Sequence, residues 1–174
     1  MGAPGERDDA MTSQGDVLYE EKLSSAWTTA LFVVLTLVFG ALAAWRWTAS
    51  AISGSTVAFA LLALMFLFYV VNYRVLTIQI NANALVLRFG IFTNTVSLDN
   101  VETCERDHVP TGMYYGGAGI HWMSVSGRYR ASYNFLEHPR VVVALREKRG
   151  RVRDVSFTTR RPDEVLAALE KARA

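Results

Sequence analysis

The chain has 174 residues, 18 basic and 16 acidic, for a formal net charge of +2. That charge is too small to choose a partner by itself, and the single cysteine, Cys104, excludes an internal disulfide and fits a reducing cytoplasm. Once the two long apolar runs are set aside, roughly 100 residues remain, enough for one small folded domain and no second.

Residues 1–22 are expected to form a disordered acidic tail. The stretch from Met1 to Gln14 is made of Gly, acidic and small polar residues with little to bury, and residues 1–21 carry six acids against one Arg. Met1-Gly2 opens like a myristoylation site, but Glu6 stands where that motif needs Ser or Thr. Ala41-Leu42-Ala43 resembles a signal cleavage site, yet the long acidic leader and the length of the apolar run argue against a signal peptide.

Residues 23–73 predict a two-helix transmembrane hairpin with spans at about 26–46 and 53–73. No charged residue occurs from Ala26 to Trp45 or from Ser53 to Tyr73, and at helical rise each run is long enough for a hydrocarbon core about 30 Å thick. Trp27 and Trp45 bracket the first span and Tyr69 and Tyr73 close the second, matching the aromatic enrichment of membrane interfaces. Thr28, Thr29, Thr36, Gly40 and Thr56 are small enough to seat one helix on the other. Neither span holds an ionisable residue at depth, so transport by this chain alone is not expected. Lys22, Arg74 and Arg88 flank the outer ends against Arg46 alone in the connection, which predicts a multi-pass protein of the cell (inner or plasma) membrane with both termini cytoplasmic.

Residues 74–174 predict a mostly-β domain. VLTIQI and LVLRFG flank the Asn-rich turn Asn81 to Ala84, IFTNTVSL follows Gly90, and VETCERDH follows Asp99-Asn100. IHWMSV and RYRASYNF flank Ser126-Gly127, and RVVVALRE and RVRDVSF flank Lys148 to Gly150. The period then turns helical. Pro162 suits a first turn, Asp163 and Glu164 favour its dipole, and Val165, Leu166, Leu169 and Ala172 recur at helical spacing.

This order of elements resembles the bacterial and archaeal pleckstrin-homology-like domains that follow a two-helix membrane hairpin. The resemblance rests on YEEKLS before the first span, YYGGAGIHW (Tyr114 to Trp122), RYRASYN and FTTRRPDEVLAAL. It implies a membrane α-hairpin plus an α+β, mostly-β domain: a seven-stranded antiparallel barrel or sandwich capped by a C-terminal helix. It further implies a non-enzymatic interaction or assembly module with no cofactor. Membrane lipids and a protein partner or second copy are its expected partners. An accessory subunit of a larger membrane complex and an enzyme of unrecognised type are the competing expectations.

Cys104 and His108 are spaced Cys-x₃-His, with His121 and His138 further on, but a zinc site draws four ligands in tight pairs and none is expected here. Asp107-His108 lacks a nucleophile context such as G-x-S-x-G. Gly116-Gly117-Ala118-Gly119 precedes a predicted strand, whereas phosphate loops lead into a helix. Met113, Tyr114, Tyr115, Gly116, Gly117, Ile120, Trp122 and Met123 form a candidate interface loop, with core packing as the alternative. Ten basic residues fall between Arg128 and Arg161 against three acids. Of these, Arg128, Arg130, Arg146, Lys148, Arg149, Arg151 and Arg153 form the candidate surface for anionic lipid or a partner, with a solvated hairpin face as the plainer account. No aromatic stacking groups are interleaved with them, so no nucleic-acid partner is expected.

Overall fold

The computed structural model describes residues 17–50, 53–110 and 118–173. Strand β1 (Val17–Ser24) leads into helix α1 (Ala26–Ser50), and helix α2 (Gly54–Asn72) leads into strand β2 (Val75–Asn81). There follow β3 (Ala84–Phe89), β4 (Phe92–Ser97), a 3-10 turn at Leu98–Asn100, β5 (Val101–Arg106), β6 (Gly119–Val125), β7 (Arg128–Asn134), β8 (Arg140–Arg149), β9 (Val152–Thr158) and helix α3 (Pro162–Arg173). All eight alternating runs after the hairpin are strands, and the C-terminal helix is present.

The strands form two sheets, ordered β1-β2-β3-β4 and β5-β8-β9-β7-β6. This corrects the seven-stranded barrel: the described residues form nine strands, divided four and five. Two features cause the division. The 3-10 turn buries Leu98 and breaks the ladder between β4 and β5. In the second sheet β7 lies parallel to β9, which carries the β6-β7 hairpin to the far side of the β8-β9 hairpin.

The ninth strand, β1, comes from the segment assigned to the tail. Of its eight residues, the alternate positions Tyr19, Glu21 and Leu23 are buried, and it pairs antiparallel with β2 from Val17↔Asn81 to Ser24↔Val75. Its acidic composition hid the alternation, because one of the three buried residues is a glutamate. The tail residues 1–16 lie outside the described residues.

The β1-β2 pairing defines the architecture. Ser24 and Val75 are direct partners, so the whole helical hairpin is inserted between two hydrogen-bonded strands. Both helices are long and apolar enough to cross a membrane, and few of their side chains are buried within the protein. They meet through aromatic rings more than through small residues. Phe39 stacks on Phe66 at 5.5 Å, Phe32 meets Tyr69 at 5.3 Å, Tyr69 meets Tyr73 at 5.3 Å, Tyr73 meets Phe89 at 5.4 Å, and Phe89 meets Phe135 at 5.2 Å. The rings, spaced as attractive aromatic pairs are, run from the hairpin into the domain core. Of the residues expected to seat the helices, Thr28 and Thr56 are buried. A Cβ on Gly40 would touch nothing within 4 Å, so Gly40 is not a contact point.

The core lies between the sheets. Leu76, Ile78, Ile80, Leu85, Leu87 and Phe89 of the first meet Tyr133, Val141, Val143, Leu145, Val155 and Phe157 of the second. Val165 and Leu169 of α3 complete it, while Leu166 is only half-buried at its margin.

Candidate functional site

Three sets of contacts fix the junction between helices and sheets. The first is at the start of α1. Ser25 is buried and its hydroxyl accepts from Thr28 N at 3.0 Å, capping the helix. The same hydroxyl donates to Glu137 Oε1 at 2.9 Å, which holds the β7-β8 turn against the residue before α1.

The second is at the end of α2. Asn72 is buried; its Nδ2 donates to Phe68 O at 3.0 Å and its Oδ1 accepts from Ile91 N at 3.3 Å. The β3-β4 turn is therefore bonded to the last helical residue. Gly90 in that turn has φ +53, and a Cβ there would fall 2.7 Å from Asn72 Cα and O. Only glycine permits both the left-handed backbone and this approach.

The third contact ties β1 to the chain before α3. Glu21 Oε2 accepts from the Tyr19 hydroxyl at 2.8 Å and from Thr159 Oγ1 at 2.5 Å, and its Oε1 accepts from Arg160 N at 3.0 Å. The Arg161 guanidinium lies 5.2 Å from the Tyr19 ring centre. Burial, and next the hydrogen bond to Glu21, push the Tyr19 phenol up to about 12. A buried carboxylate is expensive unless its oxygens are satisfied, and here three donors satisfy them.

At this junction large apolar side chains remain uncovered. Trp27 in the first turn of α1 is 74% exposed, Ile91 73%, and Leu136 beside Glu137 48%. Phe92, next to Ile91, packs on Phe68 and Tyr73. Arg74, between α2 and β2, and Arg88, on β3, are exposed.

The residues expected to form one basic surface separate. Arg130 is buried, with Nη1 at 3.3 Å from Asp107 Oδ1 and Nη2 at 3.6 Å from Asp154 Oδ2. Arg128 Nε donates to Asp154 Oδ1 at 2.7 Å, and Arg140 Nε lies 3.2 Å from Asp107 Oδ2. These five side chains make one ion-pair network on the outer face of the second sheet. Arg146 donates to Val101 O, and Arg149 to Asn94 Oδ1 and Thr95 O. Lys148, Arg151 and Arg153 are exposed.

In the candidate interface loop, Met113, Tyr114, Tyr115, Gly116 and Gly117 lie outside the described residues. Trp122 is 60% exposed on β6, and Ile120 packs against the core. Gly119 leads into β6, the strand predicted there. Cys104 is half-buried on β5, and burial pushes its thiol up. His121 Nε2 lies 3.1 Å from Ala118 O. Among the described residues no three His, Cys, Asp or Glu side chains are grouped to hold a metal ion.

Glu21, Asn72, Asp154 and Leu136 were missed from sequence, and Asp107 was weighed there only beside His108, not as a partner of arginines. Asn72 carries the one signal that was available, an amide at the end of an apolar run. No protein-family model, curated protein or solved structure matches the chain.

Proposed function

We propose that this chain is a membrane-anchored, non-enzymatic interaction and assembly module, in which the helical hairpin crosses the cell membrane and the two-sheet domain stands on its cytoplasmic side. The observation that carries this reading is the insertion of the hairpin between paired strands, Ser24 opposite Val75. Such a junction has no linker, so the domain is held at a fixed height and orientation at the bilayer. That suits a platform for partners in or beside the membrane. The orientation rests on Lys22, Arg74 and Arg88 outweighing Arg46.

The test uses the full chain in cells. With Cys104→Ala as background, Ala49→Cys should react with an impermeant maleimide from outside, and a reporter fused after Ala174 should behave as cytoplasmic. Purification of the tagged chain in mild detergent should then yield a stoichiometric partner or a defined homo-oligomer. Labelling of Ala49→Cys only after permeabilisation overturns the topology, and a monomer free of partners overturns the assembly role.

A further inference from the structure

Two turns from different sheets reach the same level of the molecule. The β3-β4 turn is bonded to the last residue of α2 through Ile91 N, and the β7-β8 turn to the residue before α1 through Glu137. Each turn presents a large aliphatic side chain where water-facing turns carry Gly, Asn, Asp or Ser. Ile91 is 73% exposed and stands in a two-residue connection between the paired Phe89 and Phe92. Leu136 is 48% exposed and stands one residue from Glu137. Trp27, 74% exposed, is the second residue of α1.

We propose that Ile91, Leu136 and Trp27 form a three-point seat that inserts into the boundary between headgroups and acyl chains of the cytoplasmic leaflet. The inference rests on the membrane reading above. The occupant is lipid because the hydrogen bonds tie both turns to helix ends, and the ends of two spanning helices must lie at that boundary. Arg74 and Arg88, exposed beside the turns, stand where lipid phosphates would be. An aromatic ring with flanking cations is the usual interfacial anchor. The seat differs from the β8-β9 hairpin in depending on buried apolar area, so added salt should leave it in place.

The test places a nitroxide on single cysteines in the full-length Cys104→Ala chain, reconstituted in vesicles of phosphatidylcholine and phosphatidylglycerol. Leu37→Cys, on the open face of α1, serves as the lipid reference. Ala82→Cys, in the turn at the far end of β2, serves as the water reference. Ile91→Cys, Leu136→Cys and Trp27→Cys should all collide more often with oxygen than with a water-soluble nickel chelate, reversing the ratio at Ala82→Cys, and 1 M salt should not restore it. If Leu37→Cys reads as lipid while Ile91→Cys or Leu136→Cys reads as water, or is shielded from both reagents as protein cover would produce, the seat is overturned alone. If Leu37→Cys itself reads as water, the membrane reading falls and the seat with it.

Discussion

Because Ser24 pairs directly with Val75, residues 25–74 should be replaceable by Asn-Gly, the sequence that favours a two-residue hairpin turn. The resulting chain keeps β1, the remaining strands and α3, and should fold in water without detergent. A chain that begins at Arg74 should not reach the same stability. It lacks Leu23, fully buried, and Tyr19, nearly so. Burying side chains of that size is worth about 1.5–3 kcal/mol each, so the loss is about 3–6 kcal/mol before the β1-β2 hydrogen bonds and the Glu21 contacts are counted. Against a total stability of about 5–15 kcal/mol, that loss decides whether the domain stays folded. Tyr73 is missing from both chains, so the comparison isolates β1. Urea unfolding followed by circular dichroism measures the difference. A chain from Arg74 within about 0.5 kcal/mol of the bridged one would refute the claim that β1 belongs to the domain.

Three further outcomes follow from the same contacts. Gly90→Ala should lower the full chain's stability in detergent by about 2–4 kcal/mol, from the left-handed backbone and the clash with Asn72 together; an unchanged melting temperature would mean that the β3-β4 turn does not rest on α2. In the bridged domain, Leu169→Ala should cost about 2–5 kcal/mol and Leu166→Ala clearly less, since only Leu169 is fully buried; equal losses in urea unfolding would contradict the placement of α3. The Tyr19 phenol is raised in the folded state, so the stability it contributes is complete below its ordinary value near 10 and falls as pH climbs towards about 12. The difference in phenolate absorbance between the wild type and Tyr19→Phe should titrate near that upper value, and Glu21→Gln should bring it down.

Much of the domain was legible because its strands obey a period of two. The runs VLTIQI and LVLRFG bury Leu76, Ile78, Ile80, Leu85, Leu87 and Phe89 on one face, and turns at Asn81 and Ser126-Gly127 lie where their residue types put them. At Ser126-Gly127 both residues have positive φ, +49 and +78, as a two-residue hairpin turn of the mirror-image kind requires. What stayed hidden depends on pairing between distant segments. Nothing in YEEKLS announces that Glu21 will be buried, because its donors, Thr159 and Arg160, arrive 138 and 139 residues later. The parallel β7-β9 pairing is equally silent, since neither strand alone encodes which neighbour it takes.

The basic segment shows why charge density along a sequence is a poor guide to a surface. Arg128, Arg130 and Arg140 were counted with Lys148 and Arg151 because they are near in sequence, but alternation along β7 turns Arg128 and Arg130 to the same face. There Asp154 from β9 stands opposite Arg130 in the parallel register, and Asp107, just past β5, bridges Arg130 and Arg140. Asp154 within the segment and Asp107 ahead of it change little in a tally, yet they draw three arginines into a network that is buried apart from the partly exposed Arg128. Removing one partner from such a network leaves a buried charge uncompensated, at a cost of about 3–5 kcal/mol. Arg130→Gln and Asp154→Asn should therefore act through folding, whereas Lys148→Gln with Arg151→Gln should leave stability nearly unchanged. If Arg130→Gln unfolds in urea like the wild type but weakens adsorption of the bridged domain to anionic vesicles, Arg130 belongs to a lipid surface after all and the network is incidental. If it unfolds early with adsorption unaltered, the cationic surface reduces to the β8-β9 tip, and hydrophobic seating at the helix ends becomes the stronger hold on the membrane.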